Sequence, residues 1–298
     1  MNDRATSFDD GASRPRRSCL YMPGTNARAH EKAKTLAADV LIFDLEDTVA
    51  PSAKADARAQ VLAALGKGGF GRSELVVRVN AMDSPWAEAD LLAVVGSGAQ
   101  GVILPKVTGP NDIRRAAAVL DGEGSDIALW SMMETARAIL AADEIAVAHD
   151  RLTVFTMGLE DLAKELHADA GGDRLAMLYA LERCVLAARA NGLGIIDAVF
   201  PDFGDDEGLA AACAQGRGLG FEGKQLIHPR QIELANTVFG PSAEAVAEAK
   251  RVIEAFDEAA RKGEHVAVLD GRMVEALHAA DARRLVAFAE AIASFEAT

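Results

Sequence analysis

Short apolar runs alternate along the chain with longer segments in which Ala, Leu, Arg and Glu recur at helical spacing. The short runs read as strands, because they are too brief for a helix, and the long ones read as amphipathic helices. Strands are predicted over 18–21, 40–44, 74–79, 101–104, 127–132, 152–157, 194–197 and 223–227. A helical pattern lies between each pair, opened in places by Asn26, Pro51, Pro85 or Pro110, residue types that start helices. Eight strand–helix units in a chain of 298 residues is the count of a (β/α)8 barrel. A doubly wound open sheet is the alternative. It would be expected to carry a glycine-rich phosphate loop after an early strand, and the turn Pro23-Gly24-Thr25-Asn26 does not fit that fingerprint.

After Val238-Phe239-Gly240-Pro241 the barrel pattern stops. A helix over 242–262, an extended piece over 266–269, an Asp270-Gly271 turn and a last helix to about residue 295 make a tail. The organisation expected is a flexible N-terminal arm over 1–16, a barrel over 17–240, and a C-terminal helical extension over 241–298. That extension would pack on a neighbouring subunit or cover a site.

Composition narrows the function. Half of the residues are hydrophobic, and Lys and Arg number 31 against 45 Asp and Glu, a net charge of −14. Nonspecific nucleic-acid binding and anionic membrane surfaces favour clustered basic charge, so neither partner is expected. Three scattered cysteines, Cys19, Cys184 and Cys213, make neither a disulfide framework nor a zinc knuckle and are expected as small buried apolar residues. Residues 1–10 carry acids and no apolar core, unlike a signal peptide, and no apolar run is long enough to span a bilayer. The expectation is a soluble cytoplasmic protein. The acidity is uneven. Between Gly11 and Lys34 the charged residues are Arg14, Arg16, Arg17, Arg28, Lys32 and Lys34 against Glu31 alone. Arg28 and Lys32 lie four apart on one helical face and are the residues expected to meet an anionic ligand; a solvated basic N-terminal arm is the alternative for Arg14 and Arg16.

In a barrel of this kind chemistry collects at the C-terminal ends of the strands. Those ends hold Asp44, Glu46 and Asp47; Arg78 and Asn80; Lys106; Glu134; Glu160 and Asp161; Asp197; and His228. This is a ring of carboxylates with a few cations, suited to a hard divalent ion and an anionic substrate. Magnesium takes a few carboxylate oxygens and keeps positions open for water or substrate. Glu134 and Asp161, on adjacent strands, could supply two; equally, Asp161 could cap the helix through Lys164. Arg78 stands at the end of an otherwise apolar strand and needs a partner. It could pair with Asp44, Glu46 or Asp47, or grip a substrate carboxylate in a bidentate fork. Lys106 and His228 could touch a ligand, although such strand-end residues are more often structural. The run Phe43-Asp44-Leu45-Glu46-Asp47-Thr48 also resembles the opening loop of haloacid-dehalogenase phosphatases, but Glu46 and Asp47 replace the second Asp and the Gly of that motif, and the strand is second rather than first.

The same residues carry a family resemblance from Arg17 to about residue 293. The segments Arg17-Ser18-Cys19-Leu20-Tyr21-Met22-Pro23-Gly24, Phe43-Asp44-Leu45-Glu46-Asp47-Thr48, Val77-Arg78-Val79-Asn80, Leu104-Pro105-Lys106-Val107, Met133-Glu134-Thr135-Ala136, Gly158-Leu159-Glu160-Asp161-Leu162 and Ile227-His228-Pro229 resemble the citrate lyase β-subunit-like family. The resemblance implies a magnesium-dependent (β/α)8 barrel, with Mn2+ as a substitute ion, acting on 3-hydroxyacyl-CoA thioesters as a homotrimer or hexamer. It makes Glu134 and Asp161 metal ligands and gives Arg78 the oxygens of an oxo-acid. Glu46 becomes an outer partner, with Asp44 or Asp47 as the base, while Arg28, Lys32, Arg78 and Lys106 meet the substrate or CoA. The first expectation is C–C cleavage of a malyl-, methylmalyl- or citramalyl-CoA. The alternatives are hydrolysis of (3S)-malyl-CoA, a citrate lyase β subunit, and a non-catalytic acyl-thioester-binding barrel. The tail departs from the lyase pattern: Asp270-Gly271-Arg272-Met273-Val274 is followed by Glu275 where an Asp is usual. Glu275 is the candidate base for hydrolysis.

Overall fold

Each short apolar run becomes a strand buried on both faces, as a parallel barrel requires. In the computed structural model, which describes residues 14–296, eight parallel strands close in chain order. They are β1 Ser18–Pro23, β2 Val40–Asp44, β3 Glu74–Arg78, β4 Gly101–Leu104, β5 Ala128–Met133, β6 Leu152–Met157, β7 Gly194–Asp197 and β8 Gly223–Leu226. Closure comes from β8 pairing with β1, Cys19 opposite Gln225, so no sheet edge is left open. The expected (β/α)8 barrel is the observed fold.

Alternation sorts the strand residues into two layers. Cys19, Val40, Ile42, Val76, Ile103, Trp130, Met132, Val154 and Ile196 fill the barrel interior. Leu20, Leu41, Phe43, Val77, Leu104, Leu129, Phe155 and Ile195 face the surrounding helices. The interior is a packed core, so a ligand has room only at the ends. Its N-terminal end is closed by charge pairs. Arg16 Nε lies 2.6 Å from Glu74 Oε2, with its guanidinium over the Trp130 ring. Arg17 forks onto both carboxylate oxygens of Asp39 at 2.9 Å. Of the basic stretch before and after β1, Arg16 and Arg17 precede the strand, at the rim opposite the mouth, and are held by acids. Residues 1–13 of the expected arm lie outside the described residues.

The chain divides into two compact units, the barrel over Arg16–Phe239 and a second containing Gly240–Thr298. The second holds the helix Ala243–Arg261, a hairpin of β9 Ala267–Leu269 and β10 Arg272–Val274, and the helix Ala276–Glu296. Asp270 and Gly271 turn the hairpin with φ of 50° and 76°, the left-handed pair that a tight two-residue turn needs. Ala259, Ala267 and Val274 form the unit's own small core with Phe256 and Leu269. All three cysteines are buried and free, as their scatter suggested. Among the described residues no helix is long and apolar enough to cross a membrane.

Candidate active site

Register builds the first part of the site. Asp44 and Arg78 end neighbouring strands and are direct Cα partners across β2 and β3. Arg78 forks onto Asp44, Nε to Oδ1 and Nη2 to Oδ2, both at 2.7 Å. Asp44 also accepts from the Glu46 backbone N–H at 2.9 Å and from the Thr48 hydroxyl at 2.6 Å. Burial alone would raise its carboxyl, but Arg78 and these donors outweigh burial and hold it below the usual range. A carboxylate whose lone pairs are filled this way makes a poor base, so the expectation that Asp44 takes a proton gives way to a positioning role. Arg78 divides its donors: two nitrogens hold Asp44, while Nη1 turns toward Glu46 at 3.4 Å and Asp47 at 3.6 Å.

The carboxylates gather where the barrel filter expected. Glu134 ends β5 and is almost wholly buried, and Thr135 behind it caps the next helix. Asp161 lies in the first turn of the helix Leu159–Leu166, whose N-cap Gly158 has no side-chain cap, so the capping alternative for Asp161 is not the one observed. Its carboxylate instead meets Lys106 Nζ directly. Lys106 also donates its backbone N–H to Glu134 Oε1 at 2.6 Å. Gly158 makes the approach of Glu134 sterically feasible, since a Cβ there would fall 2.5 Å from Glu134 Cβ and 2.6 Å from Oε2.

Electrostatics set the acids apart. Burial pushes the Glu134 carboxyl up to about 7 against the pull of Lys106. Burial and neighbouring Asp47 push Glu46 up to about 8 despite Arg78. Among the described residues no three His, Cys, Asp or Glu side chains converge in metal-ligand geometry. Two protein carboxylates are nevertheless what magnesium commonly takes, the rest being water and substrate oxygens. Glu134 and Asp161 fit such an ion on chemistry: both are hard oxygen donors, both sit against a cation already, and Glu134 is short of positive charge.

Other expected residues fall elsewhere. Asp197 leaves the ring, because the end of β7 turns it outward to Lys224 at 2.8 Å and Arg174 at 2.7 Å. His228 is structural, accepting from the Arg230 backbone and stacking on Phe203. Arg28 and Lys32 stand exposed on the helix Ala27–Ala33 that follows the mouth end of β1. Glu275 follows β10 in the second unit, half-buried, its backbone N–H donating to His278 Nδ1. Three residues not singled out in the sequence support the site. The Tyr21 ring lies under the Arg78 guanidinium, 4.9 Å from its centre, and its hydroxyl donates to Gln225 at 2.9 Å. Buried Lys54 donates to the carbonyls of Leu45 and Glu46, pinning the acid loop. Strand alternation was the available signal for Tyr21 and Gln225, both inward-facing polar positions.

The family model described as HpcH/HpaI aldolase/citrate lyase matches residues 17–229. The chain belongs to that family. It is 51% identical over 284 residues to the (3S)-malyl-CoA thioesterase of Cereibacter sphaeroides, covering 95% of this chain and 98% of that protein. It is 34% identical to the L-malyl-CoA/beta-methylmalyl-CoA lyase of the same species, covering 95% and 97%. Among solved structures, the family fold is matched by CitE from Mycobacterium tuberculosis in complex with magnesium, acetoacetate and coenzyme A. The TM-score is 0.75 at 29% identity, over 94% of this chain and 99% of that one. In this family member, the segments at the β2, β3, β4, β5 and β6 ends supply Asp44, Arg78, Lys106, Glu134, and Gly158 with Asp161.

Proposed function

We propose that this barrel hydrolyses the thioester of a malyl-CoA-like substrate with the help of a divalent cation held by Glu134 and Asp161. The observation that carries the reading is 51% identity across nearly all of the chain to a (3S)-malyl-CoA thioesterase. It reverses the order expected from the motifs, in which C–C cleavage came first. Magnesium and a CoA thioester are supported by the CitE relative, which was crystallised with magnesium and coenzyme A, and manganese is proposed as a substitute.

The ion, when bound, would act as a Lewis acid on substrate oxygens and stabilise developing negative charge. The chain's own residues do the rest. Asp44 and the Tyr21 ring fix the plane of Arg78, leaving Nη1 to donate to a substrate carboxylate or carbonyl oxygen. Asp47, exposed at the mouth, is one candidate base for water; Glu275 of the tail is the other. Water adds to the thioester carbon as its proton passes to the base, the C–S bond breaks, and the departing sulfur recovers the proton. Glu46, pushed up by burial, is proposed as a proton holder beside Arg78. Arg28 and Lys32 are proposed contacts for the CoA phosphates.

A second reading is C–C cleavage, favoured by the lyase relative and by an Arg–carboxylate set that also fits an oxo-acid. There the base removes the 3-hydroxyl proton and the C2–C3 bond breaks, giving a 2-oxo acid and an acyl-CoA. Incubation with (3S)-malyl-CoA and magnesium, following thiol and glyoxylate together, separates the two. Hydrolysis gives thiol matching the substrate consumed and no glyoxylate; glyoxylate with no thiol contradicts it. Glu275→Gln should slow thiol release, and an unchanged rate removes that residue from the mechanism.

A further inference from the structure

We propose that Lys106 is a built-in counter-ion that yields its place to a divalent cation and then serves as a cation for the substrate's carboxylate. The inference rests on the metal-dependent reading above.

Lys106 is held oddly for a strand-end lysine. Its φ is +52°, in the left-handed region where a non-glycine residue pays for its position. That twist sends both of its donors inward. The backbone N–H reaches Glu134 at 2.6 Å, and the ammonium contacts Asp161. Around the same ammonium stand Glu134 at 3.7 Å, Asp47 at 3.8 Å and Glu46 at 3.9 Å. One ammonium with three protons thus faces four carboxylates and touches only one closely.

Charge points the same way. Asp44, Glu46, Asp47, Glu134 and Asp161 are five acidic side chains around the two cations Arg78 and Lys106; Arg78 is largely committed to Asp44, and Asp47 and Asp161 are left to share Lys106. A lysine bridging Asp161 and Glu134 therefore stands in the space a hard dication would compete for. The side chain is free to leave: it is about one-third exposed, at 31%. Its departure leaves the backbone bond to Glu134 intact, so one ligand stays oriented while the other is released. The displaced ammonium stays tethered at the mouth beside Arg78 Nη1, the nitrogen not bound to Asp44, where an acyl group bearing a carboxylate would arrive.

Isothermal titration without substrate tests this on the full chain. Wild type, Lys106→Met and Lys106→Arg are titrated with magnesium, then with malate at saturating metal. Lys106→Met should bind magnesium roughly tenfold or more tighter than wild type, because a competing unit charge a few ångströms away has gone. Lys106→Arg should bind no tighter than wild type. Malate should bind Lys106→Met several-fold more weakly. Tighter metal with weaker anion is a pattern that a merely structural cross-link would not give. Equal or weaker magnesium binding by a folded Lys106→Met overturns the proposal, and equal malate affinity overturns its second half. Failure of wild type to bind magnesium at millimolar concentration instead contradicts the metal-dependent reading, and this proposal with it. Should Lys106→Met not fold, amine labelling of wild type decides: Lys106 should react faster with magnesium present, and equal or slower labelling overturns the idea.

Discussion

Asp44 and Glu46 sit two residues apart on one loop and are driven in opposite directions. Asp44 takes the Arg78 fork and is held low; Glu46, facing only the fork's far side and a distant Lys106, is pushed up to about 8 by burial and Asp47. The two environments suit the two jobs proposed for them, an anchor and a proton holder. Replacing Arg78 with Ala would leave Asp44 buried without its cation, costing roughly 3–5 kcal/mol of stability by denaturant unfolding. Arg78→Lys keeps the charge and loses the fork. It should stay folded while thiol release falls roughly a hundredfold, and near-normal turnover would contradict the role of Nη1. Gly158→Ala puts a methyl against Glu134. Magnesium affinity should fall by roughly tenfold as that carboxylate is displaced; titration showing wild-type affinity would contradict the proposed ligand.

The strands were legible because each is a short apolar run between turn residues, and four of the expected ranges coincide with those observed. Their ends were legible as a site because a barrel has only one chemical face. The facing of single side chains was not. In β7, Gly194-Ile195-Ile196-Asp197, every position but the first is buried, so alternation of polarity gives no clue to which way Asp197 turns. A sum of charges likewise ignores which end of a strand they flank: Arg16 and Arg17 flank the far end of β1, Arg28 and Lys32 the mouth end. The pairing of Lys106 depends on one left-handed residue that no pattern announces. Two consequences belong to the elements. Asp197 bridges buried Lys224 and Arg174, so Asp197→Asn, which leaves two cations uncompensated, should cost roughly 3–5 kcal/mol in unfolding. A loss under about 1 kcal/mol would contradict the pairing. His30, packed against Phe43 with its ring nitrogen 3.1 Å from the Pro23 carbonyl, is lowered by burial, which that carbonyl only partly offsets. A lowered histidine binds fewer protons folded than unfolded, so its contribution is present above its ordinary value of about 6.5 and is lost as pH falls through the folded value. Glu46 and Glu134 act in the opposite sense, so the readout is a difference. The stability gap between wild type and His30→Gln should shrink as pH falls below about 6.5, and a gap that is flat with pH would contradict it.

At the scale of the whole molecule, an acidic chain carries its excess partly as working chemistry: five carboxylates crowd one barrel mouth around two cations. Such a cluster is costly for the metal-free fold, and magnesium should raise the melting temperature of wild type but not of a Glu134→Gln, Asp161→Asn double variant. The tail unit keeps its own hairpin and core, and replacing its Glu275 tests the role proposed for that residue in hydrolysis. The central claim is that water, at a site built from Glu134, Asp161 and Arg78, splits a malyl thioester. The most direct measurement is the reaction of (3S)-malyl-CoA run in heavy-oxygen water with magnesium, with malate and free CoA analysed by mass spectrometry. The account predicts malate carrying one solvent oxygen in the former thioester carboxyl, formed in step with free CoA and lost in the double variant. Substrate converted to glyoxylate and acetyl-CoA, or labelled malate formed equally well by the double variant, would contradict it.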